Sequence, residues 1–89
     1  MEGKSVVLSK HAQDMADERE IPQEWIERVL RNPAFEQSDR RNPGAMRAYA
    51  SIPEAGNRML RVVYYDRGTE IRVITLFFDR QATRRSRMP

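Results

Sequence analysis

The sequence predicts an α+β domain in which two N-terminal helices pack on one face of an antiparallel meander sheet of three to four strands. Three observations predict it. Apolar residues recur at helical spacing as far as Asn32-Pro33 and at alternating spacing after it. The later segments are separated by short runs rich in Pro, Gly, Asn and Asp, the residues that turns require. Eighty-nine residues with 39% hydrophobic content suit one core, since two would each be too small to offset chain entropy. The reading is therefore one domain over residues 1–79, followed by a basic segment, 80–89, expected as a mobile tail or at most a short helix.

Val6, Val7 and Leu8 form a short strand or extended arm leading into the first helix. Ser9 is a good N-cap, and Ala12, Met15, Ala16 and Arg19 follow at helical spacing, which places that helix near 10–19. Pro22 suits the first position of a second helix, where its missing N–H costs nothing, and Trp25, Ile26, Val29 and Leu30 make one apolar stripe. Glu24 with Arg28 and Glu27 with Arg31 are spaced to pair on the wet side. Asn32-Pro33 stops it. Strands are expected at 35–39, 46–52, 59–65 and 70–78. The apolar run Val73-Ile74-Thr75-Leu76-Phe77-Phe78 marks the last of them as an interior strand.

Register follows from the turns. A loop at Arg67-Gly68 places Tyr65 opposite Glu70 and Arg61 opposite Ile74, and pairing Ile52 with Arg58 places Tyr49 opposite Arg61. One face then carries Ala48, Ala50, Leu60, Val62, Val73, Thr75 and Phe77 and is the expected core face. The other carries Arg47, Tyr49, Arg61, Tyr65 and Arg72, with Ile74, Leu76 and Phe78 at one end.

Charge is divided along the chain. Residues 1–39 hold five basic and nine acidic side chains, whereas residues 40–89 hold eleven basic and four acidic ones. An arginine-rich half recruits anions, and polyphosphate chains are the first to consider, so RNA is the expected partner. Absent cysteine and a single histidine argue against a metal site, and no cofactor is expected. No apolar run approaches the roughly 20 residues of a membrane span, and the chain opens without a signal-peptide pattern, so a cytoplasmic protein is expected.

The Arg/Tyr face suits RNA. Arg47, Arg61 and Arg72 can hold phosphate in forked geometry, while Tyr49 and Tyr65 offer rings for unstacked bases and hydroxyls for proton transfer. Metal-free cleavage needs a base for the 2′-OH, cations for the phosphorane and an acid for the leaving oxygen. His11 is the available base; its alternative role is to pack beside Met15. The arginines alternatively keep an open sheet face soluble. Arg80, Arg84, Arg85 and Arg87 add a second set of nucleic-acid contacts. Ile74, Leu76 and Phe78, read as an exposed apolar patch, are the expected partner-binding surface for a second protein or a second copy of the chain.

The stretch Ser9-Lys10-His11-Ala12, then Arg19 and Ile21, then Trp25 to Pro33, resembles the opening of a bacterial family of small proteins of unknown function. That family usually begins His-Ala-x-x-Arg-Met-x-x-Arg-Gly-Ile and has an Asn-Pro helix stop. Leu60 to Tyr64 and Ile71 to Arg80 resemble its closing hairpin. Met15 stands here where arginine is usual, and Glu20 where glycine is usual. The family looks related to the RelE/BrnT-like toxin superfamily, with helices on an antiparallel sheet. The resemblance implies RNA cleavage without metal, an antitoxin protein as partner, and functional roles for His11, Arg61 and Arg72. Two readings remain: a metal-independent, toxin-type endoribonuclease, and a non-catalytic module that binds nucleic acid or protein on the same scaffold.

Overall fold

The computed structural model describes residues 3–88. Strand β1 (Ser5–Leu8) leads into helix α1 (Lys10–Glu18) and helix α2 (Gln23–Arg31). Strands β2 (Phe35–Ser38), β3 (Met46–Ile52), β4 (Arg58–Asp66) and β5 (Glu70–Phe78) follow, and helix α3 (Arg80–Ser86) closes the chain. The sheet order is β1-β5-β4-β3-β2. All neighbours are antiparallel except β1, which runs parallel to β5. The fold is α+β as expected, but the sheet has five strands and is mixed. Residues 6–8 belong to β1, one of its two edge strands with β2, and β5 is interior, lying between β1 and β4.

Local chemistry sets the helix ends. Ser9 Oγ accepts from the Ala12 N–H at 3.1 Å, the N-cap bond its position promised. At the other end Ile21 N–H reaches back to the Ala16 carbonyl at 2.8 Å, a closure that puts Glu20 in the left-handed region at φ 54°. This is the position where the resembled family carries glycine, the residue that takes such a φ without steric cost. Pro22 is the N-cap of α2 rather than its first helical residue. Ile26, Val29 and Leu30 turn inward and meet Ala48, Leu60 and Val62 across the sheet, forming the core.

The β3/β4 hairpin has the expected register, with Ile52 opposite Arg58 and Tyr49 opposite Arg61. The β4/β5 hairpin does not. Its loop is Gly68-Thr69, closed by Arg67 N–H to the Glu70 carbonyl at 2.8 Å. Gly68 supplies the positive φ of 87° that the first position of a II′ turn demands. Tyr65 therefore faces Arg72. Further from the turn a β-bulge inserts Ile74: Tyr64 pairs with Val73, but Val63 pairs with Thr75 and Arg61 with Phe77. One extra residue reverses every side chain beyond it. Leu76 thus points into the core, fully buried, and Phe78 packs against that core, while Thr75 and Phe77 turn to the arginine face. The apolar patch expected from Ile74, Leu76 and Phe78 does not form. Only Ile74 stays beside the arginines.

Residues 80–86 form the short helix rather than a tail. Asp79 caps it, Oδ1 accepting from Ala82 N–H at 3.0 Å. Thr83 fastens it to the sheet: its buried Oγ1 accepts from Met59 N–H and donates to the Asp79 carbonyl, both at 2.8 Å.

Candidate functional site

Two concavities on the non-core face of the sheet meet at Arg47 and Arg61. One, of about 660 Å³, is bounded by His11, by the loop carrying Asp39 and Asn42, and by Thr75 and Phe77. The other, of about 550 Å³, is bounded by Phe35 and by Gln81 and Arg85 of α3. The first did not exist in the expected register, because Thr75 and Phe77 reach this face only through the bulge.

The bulge also positions the histidine. Ser9 donates its hydroxyl to the Ile74 carbonyl at 3.3 Å and its N–H to the Val73 carbonyl at 2.9 Å, so the first turn of α1 is seated on the bulged segment. His11 follows two residues later, and its Nε2 lies 3.3 Å from Thr75 Oγ1. Its side chain is exposed to the concavity.

The arginines are organised by two acids that sequence reasoning missed. Asp39 is 7% exposed. Its Oδ1 accepts from Arg47 Nε at 2.7 Å, and its Oδ2 accepts from Asn42 N–H, Asn42 Nδ2 and Arg41 N–H. Burial alone pushes the Asp39 carboxyl up, but the bonds from Arg47 and Asn42 outweigh it and hold the group at about 2. The same bond raises Arg47 above its ordinary value. Arg61 Nη2 lies 3.6 Å from Asp39 and Nη1 3.4 Å from Asp79, both long contacts, and its guanidinium sits 4.8 Å above the Phe77 ring. Arg61 Nε is buried without a hydrogen-bond partner among the described residues. The signal for Asp39 was available in Asp39-x-x-Asn42-Pro43-Gly44, where an aspartate opening a Pro-Gly turn accepts backbone N–H groups two and three residues on.

His11, Arg47 and Arg61 are brought together with Ile74 beside them; Tyr49 adjoins them but is buried, and Tyr65, Arg72, Leu76, Phe78 and three of the α3 arginines lie elsewhere. Tyr49 is 4% exposed, its ring stacked on Phe35 with centroids 4.4 Å apart, so it offers no free face to a base. Tyr65 and Arg72 lie opposite one another near the β4/β5 turn, four residues along β4 from Arg61 and so about 13 Å away. There Arg72 lies 3.6 Å from Glu70. Of the α3 arginines, Arg85 lines the second concavity, while Arg80, Arg84 and Arg87 face the other side of the helix.

Residues 8–78 match a family described as a domain of unknown function, DUF4258. The chain belongs to this family. The DUF4258 match takes in α1, α2 and the four antiparallel strands, and with them His11, Asp39, Arg47, Arg61 and Thr75, whereas α3 lies beyond its end. No curated protein and no solved structure gives a significant match. Among the described residues no group of three or more His, Cys, Asp or Glu side chains could hold a metal ion, and no helix is long and apolar enough to cross a membrane.

Proposed function

We propose that this DUF4258 protein is a toxin-type endoribonuclease of RelE/BrnT-like character, with its reaction centre between His11, Arg47 and Arg61. The observation that carries the reading is that the His11 imidazole shares one concavity of about 660 Å³ with the guanidiniums of Arg47 and Arg61, with Arg41 also lining it. The helical opening and closing hairpin resemble a family that looks related to RelE/BrnT-like toxins, which supports the choice of RNA. His11 accepts the 2′-OH proton, and the 2′-oxygen attacks phosphorus as the bond to the 5′-oxygen breaks, leaving a cyclic phosphate and a 5′-hydroxyl. Arg61 and the free end of Arg47 stabilise the phosphorane charge, a contribution typically of about 10²–10³-fold per donor. Asp39 accepts from Arg47 Nε, and among the described residues no carboxylate hydrogen-bonds its Nη groups, which are turned to phosphate in this reading. The carboxylate is ionised at neutral pH and cannot serve as the acid, so the leaving oxygen takes its proton from water.

The purified protein should cut RNA in EDTA and arrest growth on induction. His11→Ala should slow cutting by about 10²–10⁴-fold, the usual weight of a general base. Undiminished cutting by His11→Ala or Arg61→Ala would discard this centre. A second reading, binding without turnover, is favoured by one fact: Arg47 and Arg61 are already paired with carboxylates, and anions must compete for them. RNA bound but never cut would establish it. An antitoxin-like protein partner belongs to the first reading, and a second copy of the chain to the second.

A further inference from the structure

A third concavity, of about 690 Å³, lies across α3 from the proposed reaction centre. Arg19 from the end of α1, Arg58 from the start of β4, and Arg80, Arg84 and Arg87 from α3 and its C-cap surround the Phe78 ring. No acidic residue lines it. Among the described residues none of these five arginines lies within 4.0 Å of a carboxylate, whereas Arg28, Arg47, Arg61 and Arg72 all do. Two are held in place by backbone carbonyls instead: Arg58 Nε donates to Ala55 at 3.0 Å and Arg87 Nη2 to Gly56 at 2.7 Å. The Arg58 guanidinium carbon lies over the Phe78 ring, 4.0 Å from its centroid, so the two side chains form one surface at the groove.

We propose that this groove is a binding site for single-stranded nucleic acid, distinct from the reaction centre. Five unpaired arginines supply the backbone contacts, and the Arg58–Phe78 stack supplies the sequence-tolerant platform on which an unstacked base rests. A duplex does not fit this chemistry, because its bases have no free face to lay on the stack. Since α3 carries Arg85 on one side and Arg80, Arg84 and Arg87 on the other, one strand can lie in the groove while its continuation crosses α3 to Arg47 and Arg61. The site takes its ligand class from its own residues and stands whether or not the sheet face cuts RNA.

The test is fluorescence anisotropy of the full chain with a labelled 2′-O-methyl oligouridylate of about ten nucleotides, a length typical of small single-strand binders. Lacking a free 2′-OH, this probe cannot be cut, which separates binding from turnover. Five phosphate contacts at about −0.7 each predict a fall in affinity of about 100-fold between roughly 50 and 200 mM salt. Arg80→Ala with Arg84→Ala should weaken binding and reduce that fall to about 20-fold, the value for three contacts. Arg58→Ala should weaken binding with nearly the full salt slope of the remaining four. His11→Ala should bind as the wild type does. A DNA strand that binds equally well assigns recognition to phosphates and bases, and a preference for the 2′-O-methyl strand assigns it to RNA. An unchanged affinity and slope in the double variant overturns the site. A glutamate-rich peptide displacing the probe at equal charge concentration overturns it in favour of an acidic protein segment. Loss of cutting by His11→Ala with probe binding intact leaves both readings standing, and binding without any wild-type cutting removes only the enzymatic one.

Discussion

Replacing Asp39 by Asn tests whether the paired arginines are held by charge. In the native protein one Asp39 oxygen accepts from Arg47 Nε at 2.7 Å and the other from three N–H donors of the same loop. Its carboxyl is lowered from 3.8 to about 2. A full shift of that size corresponds to at most about 2.4 kcal/mol by linkage, and solvent screening beside an open concavity reduces the working figure to about 1–2 kcal/mol. The folded-state value is depressed, so the stabilisation is present in full above about pH 5 and disappears as pH falls through 4 towards 2. Chemical denaturation at neutral pH should therefore show Asp39→Asn less stable by about 1–2 kcal/mol, which for a domain of this size is about 5–15 °C in Tm. The same comparison near pH 2 should show only a small fraction of that difference, because the folded carboxyl is then about half protonated and the unfolded one almost wholly so. A deficit that persists undiminished at pH 2 would refute the charge argument and leave only hydrogen-bond geometry. No deficit at pH 7 would refute the role of Asp39 altogether.

Leu76→Ala should cost about 2–5 kcal/mol in urea unfolding, as for a fully buried leucine, with any effect on partner binding following only from lost folding. Thr83→Val leaves the Met59 N–H without its acceptor, and a loss of about 1–3 kcal/mol together with new tryptic cleavage between Arg80 and Arg85 is expected. Glu20→Gly should stabilise by up to about 1 kcal/mol, since glycine takes the left-handed φ of 54° without steric cost; a destabilised variant would show that the Glu20 side chain contributes more than its backbone strain removes. Tyr65→Phe and Arg72→Ala, being remote from Arg61, should leave any RNA cutting within about twofold of wild type.

Much of the fold was legible because it is written in local rules. Ser9, Asn32-Pro33 and the apolar stripe of α2 fix both helices, and the turn residues 53–57 fix the β3/β4 register to the residue. The β4/β5 pairing was not legible, and the reason is physical. A bulge needs no signature residue here: Val73 to Phe78 are large and apolar on both sides apart from Thr75, so either parity yields a plausible core face. What decides between parities is tertiary. Seating Leu76 under the helices and giving the Ile74 carbonyl to the Ser9 hydroxyl are gains that only the assembled domain offers. Val6 to Leu8 were read as a short strand or arm, but their parallel pairing with β5 was hidden for the same reason, since the partner lies more than sixty residues away.

The same bulge governs the functional question. Had β5 run on from the same turn without it, Thr75 and Phe77 would lie beneath the helices, Arg61 would face Leu76, and His11 would not have Thr75 as its partner on the sheet. With it, the imidazole, the two carboxylate-held arginines and the Phe77 ring occupy one side of the domain. Asp39 and Asp79 offset the charge of Arg47 and Arg61 at the sheet face, which also holds Arg40, Arg41 and Arg85. The positive charge predicted from composition is least offset at the groove beside α3, where five arginines stand without carboxylates among the described residues. On the two proposals, capture and chemistry fall to different surfaces: long-range attraction and its steep salt dependence to the α3 groove, and orientation at phosphorus to Arg47 and Arg61. If cutting occurs, neutralising the groove should therefore raise KM with little change in kcat, whereas Arg61→Ala should lower kcat. The reverse pattern would mean that the unpaired arginines, and not the paired ones, hold the reacting phosphate.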